Sequence, residues 1–375
     1  MSGEGDTPPE ADRLDGAPHP RETARLFGQS AAEAAFLAAF TSDRLHHAWL
    51  LTGPRGVGKA TLAWRIARFL LATHPDAGDA LFAAPVPETL DIAADHPVAR
   101  RVLALSEPGL MLLRRPWDEK AKRLKAQITV DEIRKLKDFF AFSASDGGRR
   151  VVIVDAADEM NTNAANALLK VLEEPPANAV LLLVAHQPSR LLPTIRSRCR
   201  TSRLARLSEE DLASALAQAG VDSRASGALS ELAEGSVGEA ARLSDLDGLA
   251  LYADLVALFA SMPGMDRARA SKIAEAAGAR GAEARFDLTL ALVDRILARL
   301  ARSGTTGTPP PEIVPGEARM LTRLAPDPRA ARDWADLAQG LSARARRGKS
   351  VNLDPAALIL DMCLSLEKTA ARLPA

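Results

Sequence analysis

The first half of the chain alternates apolar runs with amphipathic segments. Continuous apolar runs predict buried strands at Ala48–Thr52, Arg150–Asp155 and Ala179–Val184. Amphipathic helices are predicted after the first run and over Thr162–Glu173. Strands that alternate with helices predict a parallel sheet covered on both faces, which is an α/β fold.

The pattern changes at about residue 206, after which no strand is predicted and Ala- and Leu-rich helices follow. We therefore expect four parts, whose ranges are a disordered tail at 1–20, a nucleotide-binding-like domain at 21–206, a small helical lid at 207–245 and an all-α C-terminal domain at 246–375. Weak periodicity and many Pro and Asp residues predict an insertion at 74–127. A Pro-rich loop is predicted at 304–316, and Asp354 with Pro355 predicts the start of the last helix.

Composition limits the classes of protein to consider. Hydrophobic residues make up 47% and charged residues 26% of the 375 residues, and no apolar run reaches the length of a membrane span. We expect a soluble, cytoplasmic protein that does not enter a membrane. The two cysteines, Cys199 and Cys363, are too few and too far apart for a disulfide framework or a zinc site, so no metal ligands are predicted.

Charge is balanced over the chain, with 48 basic and 48 acidic residues, which argues against a protein that holds DNA by itself. The best local candidate for a nucleic-acid contact is the basic segment at 114–125. A run of charges is also typical of a solvated surface, and the sequence leaves both interpretations open.

The loop after the first strand has the chemistry of a phosphate site. Its residues are Gly53-Pro54-Arg55-Gly56-Val57-Gly58-Lys59, between a predicted strand and a predicted helix. In that context backbone N–H groups surround phosphates beside a helix N-terminus, and Lys59 would reach the β- and γ-phosphates. The candidate nucleotide-binding residues are therefore Gly53, Gly56, Gly58 and Lys59, together with Thr61 and Asp155.

Two positions depart from a complete P-loop ATPase. A Ser or Thr normally follows the lysine and ligates Mg²⁺, whereas here Ala60 follows Lys59 and Thr61 comes one residue too late. Asp155 ends a buried strand like a Walker B aspartate, but Ala156 stands where hydrolysing relatives carry the glutamate that orients water. We expect little or no intrinsic ATPase activity.

Three further motifs accompany the P-loop, namely Arg44-Leu45-His46-His47-Ala48, Asn166-Ala167-Leu168-Leu169-Lys170-Val171-Leu172-Glu173-Glu174-Pro175-Pro176, and Ser197-Arg198-Cys199. Together these motifs resemble a bacterial DNA polymerase III clamp-loader subunit of the AAA+ family. The resemblance covers roughly residues 20 to 245 and implies a helical lid and a C-terminal collar domain that joins a hetero-pentamer. It also implies that Arg198 acts in trans as an arginine finger on a neighbour's ATP.

Within the family, the sequence resembles the non-motor delta-prime type more than the gamma/tau motor type. The features usual in motors that are absent here are the Thr after the lysine, the Glu after the Walker B Asp, the four zinc-binding cysteines, and an Arg in the lid motif, where Gly238 stands. The resemblance implies gamma/tau and delta subunits as partners, contact with the sliding clamp and primed DNA through the complex, ATP or ADP as possible ligands, Mg²⁺ only with nucleotide, and no zinc.

Two other functions stay open on the sequence. The chain hydrolyses ATP itself, as a gamma/tau-type motor, if Thr61 and Asp158 replace the missing groups. An unrelated P-loop kinase is the third hypothesis, but it gives no role to the Ser-Arg-Cys motif or to the long helical C-terminal part.

Overall fold

The computed structural model describes residues 9–13, 18–23, 25–42, 44–73, 86–141, 148–221 and 226–373. These residues divide into two compact units. The first comprises the described residues within Met1–Ser223 together with Glu234–Ala241, and the second those within Arg224–Ala233 and Arg242–Ala375. No described helix is long and apolar enough to pass through a membrane.

The strands of the described residues all lie in the first unit. They are β1 (Ala48–Thr52), β2 (Leu110–Arg114), β3 (Trp117–Asp118), β4 (Arg123–Leu124), β5 (Arg150–Asp155), β6 (Ala179–Val184) and β7 (Arg200–Arg203). Five of them form a parallel sheet in the order β2-β5-β6-β1-β7, and β3 pairs with β4 as a separate antiparallel hairpin. The three strands predicted from apolar runs have the predicted bounds, so the parallel α/β fold is confirmed.

Helices cover both faces of this sheet. The helices up to residue 218 are α1 (Ser30–Thr41), α2 (Lys59–Ala72), α3 (Pro97–Leu103), α4 (Val130–Ala141), α5 (Thr162–Glu173), α6 (Pro193–Ser197) and α7 (Glu209–Gln218). On one face, Leu50, Val152 and Leu181 pack in a core with residues of α4 and α5. On the other face, the ring of Trp49 lies 5.0 Å from that of Phe36 in α1. Because successive strand residues point to opposite faces, continuous apolar runs bury both.

The region predicted as an insertion at 74–127 is partly integrated into the main fold. Its residues 74–85 lie outside the described residues, but β2 pairs in register with β5, with Leu112 opposite Ile153. The strand was missed because it lies at the sheet edge, where most of its side chains are only partly buried. The polar edge strand β7 was missed for the same reason.

The described part of the predicted disordered tail differs from that prediction. Residues 9–13 and 18–23 pack on the first unit, and the side chains of Asp12 and His19 are fully buried. The nitrogen Nε2 of His19 lies 3.1 Å from Oδ2 of Asp12, and its ring meets Trp64 edge-on at 5.8 Å. Contacts between polar side chains hold this segment on the first unit. The sequence prediction relied on the shortage of apolar residues and so did not foresee these contacts.

The remaining helices follow residue 225. They are α8 (Ser226–Ala233), α9 (Val237–Asp245), α10 (Gly248–Ala260), α11 (Arg267–Gly278), α12 (Glu283–Thr306), α13 (Glu317–Leu324), α14 (Pro328–Ser350) and α15 (Pro355–Ala370). The predicted lid, 207–245, is divided between the two units, and the predicted C-terminal domain, 246–375, lies within the second. Asp354 caps α15 by accepting the backbone N–H groups of Ala356 and Ala357, as predicted.

The predicted loop at 304–316 begins later than expected, because α12 continues to Thr306. Gly304 is inside the helix, where an added Cβ would lie 2.7 Å from the carbonyl oxygen of Asp327 and 2.9 Å from Cβ of Ala331 in α14. This glycine permits close packing of α12 against the α14 region. The helix ends instead at Gly307, which has a positive φ of 70°.

Candidate functional site

The loop between β1 and α2 has the backbone shape of a phosphate-binding loop. Gly53, Gly56 and Gly58 all have positive φ, at 138°, 78° and 97°. A Cβ on Gly53 would lie 2.5 Å from the carbonyl oxygen of Leu204, and the carbonyl of Gly56 accepts the N–H of Val237 at 3.0 Å. The loop is therefore fixed between the segment after β7 and the start of α9, and a side chain at either glycine would displace it.

Lys59 is buried at the start of α2, with 3% of its surface exposed. Its Nζ donates hydrogen bonds to the carbonyl oxygens of Gly53 at 2.8 Å and Pro54 at 2.5 Å. Burial lowers the pKa of Lys59 to about 8, and the carboxylates of Asp155 and Asp158 partly oppose that shift. For Lys59 to bind a phosphate in the loop, its ammonium group would have to give up the hydrogen bonds to these two carbonyl oxygens.

Asp155 ends β5 at the same edge of the sheet and is 7% exposed. Burial raises its pKa to about 7, and repulsion from Asp12 and Glu159 adds to the shift, while Lys59 and Arg55 oppose it. The structure thus brings Lys59 and Asp155 into one electrostatic environment, as the sequence predicted for the two motifs. It also adds Asp12, which the sequence did not indicate.

Asp158, the proposed substitute for the missing catalytic glutamate, is engaged elsewhere. Its carboxylate accepts the backbone N–H groups of His186 at 2.9 Å and Gln187 at 3.0 Å, just beyond β6. Burial, followed by repulsion from Lys59, lowers the pKa of His186 to about 4, so this imidazole is neutral near pH 7. The carboxylate therefore holds the chain after β6, and both of its oxygens accept backbone hydrogen bonds.

The residues present fit phosphate better than they fit magnesium. The loop offers a glycine-shaped backbone and a lysine at a helix N-terminus, which is the usual cradle for phosphate. Position 60 offers the methyl group of Ala60, and Thr61 follows as the third residue of α2, half-buried. Within the described residues, no group of three or more His, Cys, Asp or Glu side chains is arranged to hold a metal ion.

Arg198 follows the short helix α6 and lies at the surface, with 36% of its side chain exposed. One guanidinium nitrogen lies 2.9 Å from Oε1 of Glu173, and another donates to the carbonyl of Thr194 at 3.1 Å. Glu173 is the last residue of α5, so the Leu-Glu-Glu-Pro-Pro and Ser-Arg-Cys motifs meet at this ion pair. The neighbouring Cys199 is not a reactive thiol, because burial raises its pKa to about 12.

Comparisons with known proteins agree with the motifs. Residues 28–208 match the model of a family described as DNA polymerase III, delta subunit. The delta' subunit of DNA polymerase III from Pseudomonas aeruginosa is 43% identical over 153 residues, which are 41% of this chain and 41% of the relative. Residues 28–208, which are slightly less than half of the 375 residues, thus resemble this family.

Other similar proteins are described as gamma subunits of DNA polymerase III or as related to them. The gamma subunit from Buchnera aphidicola is 32% identical over 195 residues, or 52% of this chain and 47% of the relative. A gamma subunit-related protein from Thermotoga maritima, of known structure, is 18% identical, with 89% of this chain and 99% of that chain covered at a TM-score of 0.39. The matched segments span less than half the length of the first curated relatives.

The structure brings together most, but not all, of the site residues predicted from the sequence. Lys59 and Asp155 interact electrostatically beside the glycine loop, while the polar contacts of Arg198 among the described residues are with Glu173 and Thr194. Sequence analysis missed Asp12, whose carboxylate contacts Arg114, the register partner of Asp155 in the adjacent strand. No local pattern identifies Asp12, since its partners are distant in sequence.

Proposed function

We propose that this chain is the delta-prime subunit of the DNA polymerase III clamp loader and acts without hydrolysing ATP itself. The methyl group of Ala60, at the magnesium-ligand position of a retained phosphate loop, carries the proposal. Two further observations support it. The methyl group of Ala156 cannot accept a hydrogen bond from an attacking water, and both oxygens of Asp158 already accept backbone hydrogen bonds. The similarity to a delta' subunit over 153 residues agrees with it.

In this role the subunit joins gamma/tau and delta subunits in a hetero-pentamer that loads the sliding clamp onto primed DNA in the cytoplasm. Arg198 is its catalytic contribution, because its partly exposed guanidinium can exchange the surface pair with Glu173 for a neighbour's γ-phosphate. The candidate residues for ATP or ADP in the chain's own loop are Gly53, Gly56, Gly58, Lys59, Thr61 and Asp155, with Mg²⁺ only as part of the nucleotide complex.

The deciding experiment measures ATP hydrolysis by the purified full-length chain, alone and mixed with gamma/tau and delta subunits. We expect no turnover above background for the chain alone and stoichiometric co-purification with the other subunits. The double variant Ala60→Thr and Ala156→Glu restores a magnesium ligand and a general base, and any turnover that it gains must vanish when Lys59→Ala is added. Failure to co-purify would refute the clamp-loader role.

The second candidate is a gamma/tau-type motor, favoured by the similarity to a gamma subunit over 52% of this chain. That function requires Thr61 and Asp158 to replace the missing groups. Turnover by the unmodified chain at the rate of a motor subunit, abolished in Lys59→Ala, would establish it and end the delta-prime proposal.

A further inference from the structure

A short basic hairpin projects between the edge strand β2 and helix α4. Its strands β3 and β4 pair antiparallel, with Trp117 opposite Leu124 and Asp118 opposite Arg123. Residues 117–125 are called the basic hairpin from here on. Its turn residues Lys120 and Lys122 and the following Lys125 are exposed to solvent.

The hairpin is held in shape by its own hydrogen bonds. The carboxylate of Asp118 accepts the backbone N–H groups of Lys120 and Ala121, each at 3.0 Å, and the N–H of Lys125 donates to the carbonyl of Pro116 at 2.9 Å. Both N–H groups bond to Oδ1 of Asp118, and the charge of this carboxylate also attracts Arg123, its partner in the ladder, and Lys125. The backbone that carries the cations is therefore ordered before any ligand arrives, which lowers the entropy that binding costs.

Charge in this segment is far from the balance of the whole chain. Residues 114–125 contain six basic and two acidic side chains, whereas the chain has 48 of each sign. Arg114 and Arg115 at its base are neutralised by Asp12 and Glu159, and Lys122 pairs with Glu119. Among the described residues, Lys120, Arg123 and Lys125 form no close ion pair, and Asp118 offsets only part of the charge of Arg123 and Lys125.

Three unpaired cations on an ordered, exposed ribbon are suited to a polyanion with closely spaced charges. Duplex DNA has one phosphate for about every 1.7 Å of its axis, so a short ribbon can meet several at once. Trp117, opposite Leu124, is half-buried, so the hairpin offers no exposed aromatic platform for stacking on bases. The recognition that this chemistry supports is independent of base sequence.

We propose that the basic hairpin binds the phosphate backbone of DNA through Lys120, Arg123 and Lys125. The inference rests on the proposed clamp-loader function for the presence of DNA, and it assigns to this subunit a direct contact with it. Binding is by charge alone, so it shows as affinity and salt dependence rather than as sequence preference.

The test compares two triple variants of the full-length chain, each incorporated into the loader complex. Lys120→Gln, Arg123→Gln and Lys125→Gln neutralise the hairpin. The control, Arg100→Gln, Lys137→Gln and Arg190→Gln, removes the same number of exposed charges from elsewhere in the first unit. Affinity for fluorescent primed duplex DNA is measured across a potassium chloride series, after circular dichroism has shown that both variants are folded.

We expect the hairpin variant to bind DNA at least about tenfold more weakly at 0.1 M salt, because three phosphate contacts are lost. Each contact contributes about 0.9 to the slope of log affinity against log salt. The slope of log affinity against log salt should fall by about 2 to 3 for three contacts, and the control should match the unmodified complex. Equal affinity and slope in both variants would overturn the inference. So would weaker incorporation of the hairpin variant with unchanged DNA binding, which would assign the hairpin to an acidic protein partner.

A direct measurement separates this inference from the proposed function. A photo-crosslinking amino acid replaces Ala121 in the turn of the full-length chain, or Gln339 on α14 as the control. The isolated chain is irradiated with DNA whether or not it joins a complex. Crosslinks from position 121 alone, suppressed by high salt, support the hairpin contact; none, or equal crosslinking from both positions, refutes it. Co-purification independently tests the clamp-loader role.

Discussion

At the scale of single residues, burial shifts the pKa of Lys59 and the pKa of Asp155 in the directions that favour the neutral form of each group. The pKa of Lys59 falls to about 8 and that of Asp155 rises to about 7, although each group partly stabilises the charge of the other. An acid whose pKa is raised on folding binds more protons in the folded state than in the unfolded one. Its contribution therefore lowers the free energy of unfolding as pH rises.

The first prediction concerns this pH dependence. Between about pH 4 and pH 7, Asp155 is ionised in the unfolded chain and still partly protonated in the folded chain, so the unmodified protein should lose stability over that window. Asp155→Asn removes the free-energy cost of ionising a buried carboxyl group, so the variant should be more stable than the unmodified protein near pH 8, by a few kcal/mol at most. Urea unfolding at pH 5 and pH 8 measures both, and an unchanged difference between the two pH values in the variant would contradict the assignment.

A second residue prediction concerns Arg198. Arg198→Ala should fold and enter the complex, because an exposed pair with Glu173 stabilises by at most about 1 kcal/mol. It should nevertheless reduce ATP hydrolysis stimulated by clamp and DNA, since an arginine finger contributes about 10³ to 10⁵ in rate at the site it serves. In the proposed complex the total should fall only in part, because the arginines at the other interfaces are unchanged.

The matched control for Arg198 is Arg196→Ala, an exposed arginine two residues earlier in α6. Single-site turnover, measured in complexes with one hydrolysing subunit at a time, identifies the interface affected. Normal turnover at every site in Arg198→Ala would leave only a structural ion pair with Glu173, and the trans role would have to be abandoned.

At the scale of elements, one buried carboxylate joins three helices of the second unit. Glu317, at the start of α13, is 0% exposed and accepts from Oη of Tyr252 in α10 and Nε of Arg299 in α12, each at 2.6 Å. It also accepts the backbone N–H of Ile313 at 2.7 Å, which fixes the end of the loop before α13. A buried charge is tolerated here because each oxygen has a donor.

Glu317→Ala should therefore lower the free energy of unfolding by about 3 to 5 kcal/mol, because it leaves the Arg299 guanidinium buried without its main partner. Glu231→Ala is the control, since its carboxylate lies 3.4 Å from Arg299 and is 44% exposed; its loss should cost no more than about 1 kcal/mol. Denaturant unfolding of the full chain measures both. Equal losses would show that the buried network contributes no more than a surface pair.

The elements also explain which parts of the structure could be predicted. Strands β1, β5 and β6 are buried on both faces and so consist of uninterrupted apolar residues. The edge strand β7 is polar, and β2 lies within Pro- and Asp-rich sequence. The phosphate loop and Arg198 are local motifs, whereas the contacts of Asp12 and Asp158 join residues distant in sequence and were not predictable.

At the scale of the whole molecule, the candidate chemistry and the long helical region belong to different units. Every predicted site residue lies in the first unit, and helices α10 to α15 lie in the second. The second unit has its own buried residues, among them Trp334, whose Nε1 donates to the carbonyl of Leu324 at 2.7 Å. Each unit thus has a separate core, which is the physical requirement for independent folding.

Removal of the residues after Ser244 should therefore leave a folded fragment that no longer assembles. The fragment keeps the sheet, the phosphate loop and residues 234–241, whose Val237 holds the Gly56 carbonyl. It should unfold cooperatively in urea with a smaller m value than the full chain, because less surface becomes exposed. It should also fail to co-purify with gamma/tau and delta subunits, since the apolar helices proposed to form the collar are gone. The opposite result, a fragment that enters the complex in full stoichiometry, would place the assembly surface in the first unit, and a fragment without a cooperative transition would show that the first unit depends on the second to fold.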